Sequence, residues 1–144
     1  MRVEIKLQKN IPEPYIVIYA ERITDEVQKI TSAIESMGRV VTAVSDDKII
    51  VINTADIYMT RVEEDKTVIY CNDKKYVSRK RLCELEKVLG IEFMRISKTT
   101  LIHLEYISRV EPSFNGMMLL TMKNGCKDYI SRKYLPNLKK YLGL

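Results

Sequence analysis

The chain has no tryptophan, two phenylalanines, one histidine and three cysteines in 144 residues. The cysteines, Cys71, Cys83 and Cys126, are odd in number and form no Cys-x-x-Cys pair. That excludes a disulfide framework and a zinc knuckle and leaves free thiols. His103 stands alone, with no Asp, Glu or Cys cluster beside it in sequence, so no metal site of the usual kind is expected and no cofactor. There is no glycine-rich phosphate loop, no Gly-x-Ser-x-Gly and no His-Glu-x-x-His, which leaves no nameable catalytic constellation. No run approaches the roughly 20 apolar residues that span a bilayer. Met1 to Asn10 alternates charged and apolar residues, unlike a signal peptide, so the expected compartment is the cytoplasm.

What is present is the make-up of one ordinary domain, or of a small domain with an extension: 46% hydrophobic and 30% charged residues. The net charge of +5 is unevenly placed. Residues 1–45 carry six Lys/Arg and six Asp/Glu, and residues 46–94 carry nine and ten. Residues 95–144 carry nine and three, so the whole excess lies in the last third. A basic face on an otherwise balanced domain is the electrostatic footprint of a nucleic-acid binder, and equally of a solvated surface that happens to be basic.

The pattern predicts an α+β fold, mostly β, with short helices. Val3 to Leu7 alternates apolar and charged residues as a half-buried strand does, and Tyr15 to Ala20 is a run of β-formers. Thr24 is placed to cap a helix with Val27, Ile30, Ile34 and Met37 on one face, ended by Gly38. Val40–Val44 and Lys48–Ile52 read as strands around the turn Ser45-Asp46-Asp47. Asp46-Asp47 is a turn rather than the acidic pair of a receiver domain, because the stretch before the basic module is too short for one. Residues 1–53 thus read as a β-β-α-β-β extension, a regulatory or dimerisation layer, and residues 54–144 as a second unit.

In that unit, Ile57–Val62 and Thr67–Cys71 are strands about a charged tip, Glu63-Glu64-Asp65-Lys66. Ser78 is placed to cap a helix carrying Leu82, Leu85, Val88 and Leu89 and ending at Gly90. Asn115-Gly116 and Asn124-Gly125 are type I′ hairpin signals that predict a meander of strands 107–114, 117–123 and 126–130. The chain echoes itself once. Tyr76 to Gly90 aligns with Tyr129 to Gly143, and both read Tyr, Val/Ile, Ser-Arg-Lys, then a helix. The first copy continues with Glu84 and Glu86, the second with Asn137, Lys139 and Lys140, so if only one corner meets an anion it is the second. Pro136 leaves two readings there. Either Ser131 caps the helix, or the regular helix starts at Leu135–Pro136 after a tight turn over Ser131–Tyr134.

The segment Phe93-Met94-Arg95-Ile96-Ser97-Lys98-Thr99-Thr100-Leu101-Ile102-His103-Leu104-Glu105-Tyr106-Ile107 resembles the F-x-R-x-H-(R/K)-S-x-(I/V)-V-N-x-x-x-I signature of LytTR-type DNA-binding domains. Phe114-Asn115-Gly116, Leu119-Leu120, Lys123-Asn124-Gly125 and Ile130 to Leu135 continue it in order. The resemblance implies a stand-alone bacterial transcriptional regulator that reads double-stranded promoter DNA with loops in successive major grooves. By position it makes Lys98 the base-contacting residue and Arg132 and Lys133 the basic pair at the second corner. Ser97, Thr99 and Ser131 become phosphate contacts, and Arg95 is either a contact or a brace. It adds the hairpin around Lys66-Thr67. Ser97 replaces the family's His, and His103 its Asn; the apolar neighbours of His103 favour a packed core histidine over a DNA contact. The resemblance further implies a homodimer on paired repeats and control by a small integral-membrane partner in place of a receiver domain. The competing expectation is a protein–protein interaction module using Tyr134, Tyr141 and Met117-Met118 as an exposed patch.

Overall fold

In the computed structural model, which describes residues 1–37 and 39–144 and the side chains of these except Glu35 and Ser36, alternating apolar residues separated by short turns form two antiparallel sheets. The larger contains β1 (Val40–Ser45), β2 (Lys48–Asn53), β3 (Met59–Glu63), β4 (Lys66–Tyr70), β5 (Lys75–Ser78), β6 (Phe93–Ser97) and β7 (Thr100–His103). Its order is β2-β1-β5-β4-β3-β7-β6. The smaller contains β8 (Ile107–Pro112), β9 (Met118–Met122) and β10 (Lys127–Ile130), in the order β10-β9-β8. Among the described residues three α-helices accompany them: α1 (Asp25–Ser36), α2 (Leu82–Leu89) and α3 (Leu135–Leu142).

Alternation along each strand sends neighbouring residues to opposite faces, and this divides the core in two. On one face of the large sheet Val41, Ala43, Ile52, Ile69 and Leu101 pack with Leu82, Leu85 and Leu89 of α2. On the other, Met59, Ile96 and Ile102 pack with Leu120, Met122 and Ile130 of the small sheet and Leu138 of α3. The central strand β4 is covered on both sides, which is why Thr67, Val68 and Ile69 are all buried in succession. His103 is buried at the end of β7, with its ring between Phe93 (4.6 Å) and Tyr106 (4.3 Å). Its Nδ1 accepts from the Glu105 N–H at 3.2 Å, and burial lowers its pKa below the ordinary value. The packed core histidine expected from the sequence is what stands there.

Several local expectations need correction. The strands expected at 3–7 and 15–20 do not form; both stretches are exposed and irregular. Their alternation is intact, but a strand is completed only by a hydrogen-bonded neighbour, and among the described residues none pairs with them. Of the expected β-β-α-β-β layer only α1, β1 and β2 remain, and β1 pairs with β5 through Val44 and Val77. The sheet therefore runs without a break across residue 53. Thr24 does cap α1, its Oγ1 accepting from the Val27 N–H at 3.3 Å, whereas the expected stop at Gly38 lies outside the described residues.

Neither Ser78 nor Ser131 caps a helix. Ser78 Oγ accepts from the Lys80 N–H (3.1 Å), and α2 starts later, after Arg81. Ser131 accepts through its backbone carbonyl from the N–H groups of Tyr134 and Leu135, a tight turn, and α3 begins at Leu135 with Pro136 in its first turn. A proline there removes an N–H that has no helical partner in any case. The two corners superpose in sequence: α2 and α3 occupy equivalent positions of the echo, and Gly90 and Gly143 both adopt positive φ at their ends. Asn115 (φ 55) and Gly116 (φ 72) form the expected left-handed turn. At the second signal only Gly125 is left-handed, and Met122 N–H to Cys126 O (2.8 Å) closes a longer loop with glycine at its left-handed position. The meander is present with shorter strands than expected.

Candidate nucleic-acid interface

The β6–β7 turn, Ser97-Lys98-Thr99, is built by its own short side chains. Ser97 Oγ accepts from the Thr99 N–H at 3.2 Å and lies 3.3 Å from Thr99 Oγ1. This local bonding competes with the ladder and tightens the turn, and a bulge between Arg95 and Ser97 turns it further. Lys98 and Thr99 are exposed at its tip. Beneath them Arg95 is a clamp. Its Nη1 donates to the Lys98 carbonyl at 2.6 Å, while its Nε donates to Glu86 of α2. Of the two roles open to Arg95, the structure displays the brace.

The corner Ser131-Arg132-Lys133 is joined to this turn by backbone: the Ser131 N–H donates to the Ile96 carbonyl at 2.9 Å. Arg132 and Lys133 are exposed, with Ser131 half-buried between strand and helix. Two contacts restrain the basic pair. Lys133 Nζ lies 5.5 Å from the Tyr134 ring centroid, a cation–π geometry. The Arg132 side chain passes so close to Gly116 that a Cβ there would stand 3.4 Å from its Nε. Phe114 and Tyr129 meet edge to face beside that turn, with ring centroids 5.4 Å apart. The support from Gly116 is invisible in sequence; the signal that could have raised it is the Asn-Gly turn itself.

The β3–β4 hairpin joins from a third side, the Val62 N–H donating to the Thr99 carbonyl at 2.9 Å. Its tip is the two-residue loop Glu64-Asp65, both at positive φ, between the paired Glu63 and Lys66. Lys66 is exposed, but Glu64 and Asp65 beside it are exposed too, so this tip carries mixed charge. Thr67 is only 7% exposed, which corrects its sequence-based placement as a contact: the central strand takes its side chain inward. Turn, corner and hairpin thus converge through main-chain bonds, and Lys66, Lys98, Thr99, Arg132 and Lys133 are the exposed members of the expected set.

A polar clasp holds the three segments together. Arg61 donates to Glu63 (2.6 Å), Tyr70 Oη (3.0 Å) and the Lys127 carbonyl (3.1 Å), and it lies 3.5 Å from Asp128. The Tyr70 hydroxyl donates to Glu63, which, with Arg61 alongside, lowers the carboxyl's pKa; burial raises that of Tyr70. Asp128 also accepts from Thr100 Oγ1 (2.5 Å) and from the Tyr129 N–H (2.7 Å). It ties β10 to the start of β7, directly behind the turn. Burial pushes the Cys71 thiol up to about 11 and also raises that of Cys126, which disfavours the thiolate at both. Among the described residues no group of three or more His, Cys, Asp and Glu is placed to hold a metal ion.

A family profile for the LytTr DNA-binding domain matches residues 47–143. The chain belongs to the LytTr DNA-binding domain family. The LytTr match begins within the β1–β2 turn, so it includes β2 as well as the expected second unit. A solved LytTr DNA-binding domain from Bacillus cereus shares the fold, with a TM-score of 0.68 at 23% identity, covering 74% of this chain and 98% of that one. Two Staphylococcus aureus proteins, of strains NCTC 8325 and MRSA252, are 31% and 30% identical over 100% of this chain and 99% of their own lengths. Both are described as uncharacterized HTH-type transcriptional regulators. Here five strands separate α1 from α2, and five separate α2 from α3 in the LytTr chain. No described helix is long and apolar enough to cross a membrane.

Proposed function

We propose that this chain regulates transcription by binding double-stranded promoter DNA, setting the Ser97–Thr99 turn and the Ser131–Lys133 corner into the major groove. The observation that carries this reading is the main-chain link from Ser131 to Ile96. It joins by a main-chain hydrogen bond the two segments that carry exposed Lys98 and exposed Arg132 and Lys133. Lys98 and Arg132 offer donors suited to guanine N7 and O6, while Lys133, Ser97 and Thr99 suit phosphate oxygens. Arg95 serves by holding the turn in shape. Lys66 contributes least, because Glu64 and Asp65 repel the same phosphates that it attracts. Each copy would occupy one element of a paired site.

Of the interaction-module alternative's patch Tyr141 is exposed, whereas Tyr134 and Met117 are half-buried and Met118 packs against the core beneath the small sheet. Fluorescence anisotropy with duplex DNA from upstream of the chain's own gene tests the DNA reading. Binding should weaken steeply with salt, by roughly 0.9 log–log units per phosphate neutralised. Lys98→Ala should cost about 1–3 kcal/mol and flatten the preference at one base pair. Salt-insensitive binding, or Lys98→Ala and Arg132→Ala proteins that bind as the parent does, would reject it.

A further inference from the structure

The large sheet ends at β2, whose outer edge pairs with no described residue. Native edges are commonly guarded by charge, proline or a bulge. β2, with Lys48 at its start and then Ile49, Ile50, Val51 and Ile52, has little of this. One face of this end of the sheet is also bare. The register aligns Ile49, Val44 and Val77 in a row across three strands, and Val51 with Thr42 beside it. Ile49 is 74% and Val51 65% exposed, although both are β-branched residues in a regular strand.

The same chain carries the complement. Val3, Ile5 and Leu7 alternate with Glu4 and Lys6, and Leu7 is 95% exposed. Such a stretch has one apolar face and lacks only an edge to pair with. Side-chain alternation restricts how it can join β2. For Val3, Ile5 and Leu7 to reach the bare face they must oppose odd-numbered residues of β2. The antiparallel register that covers the whole face sets Val3 against Asn53, Ile5 against Val51 and Leu7 against Ile49. Continued past β2, it brings Lys9 toward the β1–β2 turn, where Asp47 carries the opposite charge.

From this register we infer that the edge of β2 is a docking site for residues 3–9 of a second copy of this chain, exchanged reciprocally in a two-fold dimer. In each chain the segment stands off its own edge, so both halves of the contact are free at once. Two-fold exchange uses each segment and each β2 edge once and so closes, leaving neither half of this contact over for a third copy. Val3, Ile5 and Leu7 on the segment and Ile49 and Val51 on β2 are all exposed, so the exchange would bury apolar surface on both partners twice over. The match to the staphylococcal relatives spans this segment as well as the LytTr region.

Sedimentation equilibrium of the full chain without DNA tests the dimer separately from any DNA binding. The parent should sediment at twice its 16.8 kDa mass. Leu7→Asp and Ile49→Lys, both at exposed positions, should each weaken dimerisation at least about tenfold. An equimolar mixture of the two variants should recover the dimer. One of its two interfaces is parental in composition, and the other sets the introduced acid against the introduced lysine. A parent that stays monomeric overturns the inference, as does a dimer that neither substitution weakens. A mixture that fails to recover the dimer overturns the exchange.

Discussion

Replacing Glu86 by alanine removes a negative charge from beneath a turn that is proposed to meet phosphate, so simple electrostatics expects tighter DNA binding. The clamp geometry predicts the reverse. At about 10 Å from a phosphate in water, one charge is worth about 0.4 kcal/mol before screening and under about 0.2 at physiological salt. Against this stands the ion pair that orients Arg95, whose other nitrogen holds the Lys98 carbonyl at 2.6 Å. The Glu86 carboxylate is 45% exposed, so the pair belongs to the weak class of about 0.2–1 kcal/mol. The brace is therefore the larger effect. Glu86→Ala should bind DNA about two- to threefold more weakly, with unchanged thermal stability of the core.

Arg95→Ala removes the clamp and its charged hydrogen bond to the turn. After discounting for partial exposure that is about 1.4 kcal/mol, or roughly tenfold in Kd. Anisotropy titrations across a salt series separate brace from contact. A brace leaves the log–log slope as it was; loss of a phosphate contact lowers it by about 0.9. Tighter binding by Glu86→Ala, or a slope that falls by about 0.9 in Arg95→Ala, would refute the clamp.

Gly116→Ala places a side chain at φ 72 and 3.4 Å from Arg132 Nε. It should cost about 1–2 kcal/mol in urea unfolding and weaken DNA binding with it, because Arg132 is displaced. Leu138→Ala should cost about 2–5 kcal/mol by leaving a cavity where α3 meets both sheets, and should loosen the corner before it. Burial holds His103 below its ordinary pKa, so the unfolded chain takes up a proton first as pH falls. Its contribution is complete above about pH 6.5 and is lost as pH drops through the folded value. Urea midpoints at pH 7.5 and 5.5 should differ more for the parent than for His103→Gln.

The sequence carried those features whose cause is local. Asn115-Gly116 makes the left-handed turn that these residue types favour, and Thr24 caps α1 with atoms three residues away. The repeated Ser-Arg-Lys corner announced two helices of equal placement. What escaped depended on partners distant in the chain. Nothing near Val3–Leu7 reveals that no strand lies beside it, and nothing near Val44 names Val77. Thr67 is inaccessible only because β4 is central, a fact set by the order of the whole sheet. The role of Arg95 was undecidable without Glu86, which is supplied by a helix packed behind the turn. Glu64-Asp65 and Asp46-Asp47 bend through left-handed conformations without glycine, since pairing on both sides of each tip imposes the two-residue loop.

The link between Ser131 and Ile96 also orders events during synthesis. The turn that presents Lys98 is translated well before the corner that backs it, and α3, which anchors that corner through Leu138, comes later still. A nascent chain thus displays the signature turn without its counterpart until Leu135–Leu142 has emerged and packed. Ribosome-bound fragments ending before α3 would carry much of the basic charge yet lack the rigid pairing of the two segments. On the proposed reading, full grip on DNA would be withheld until the domain is nearly finished.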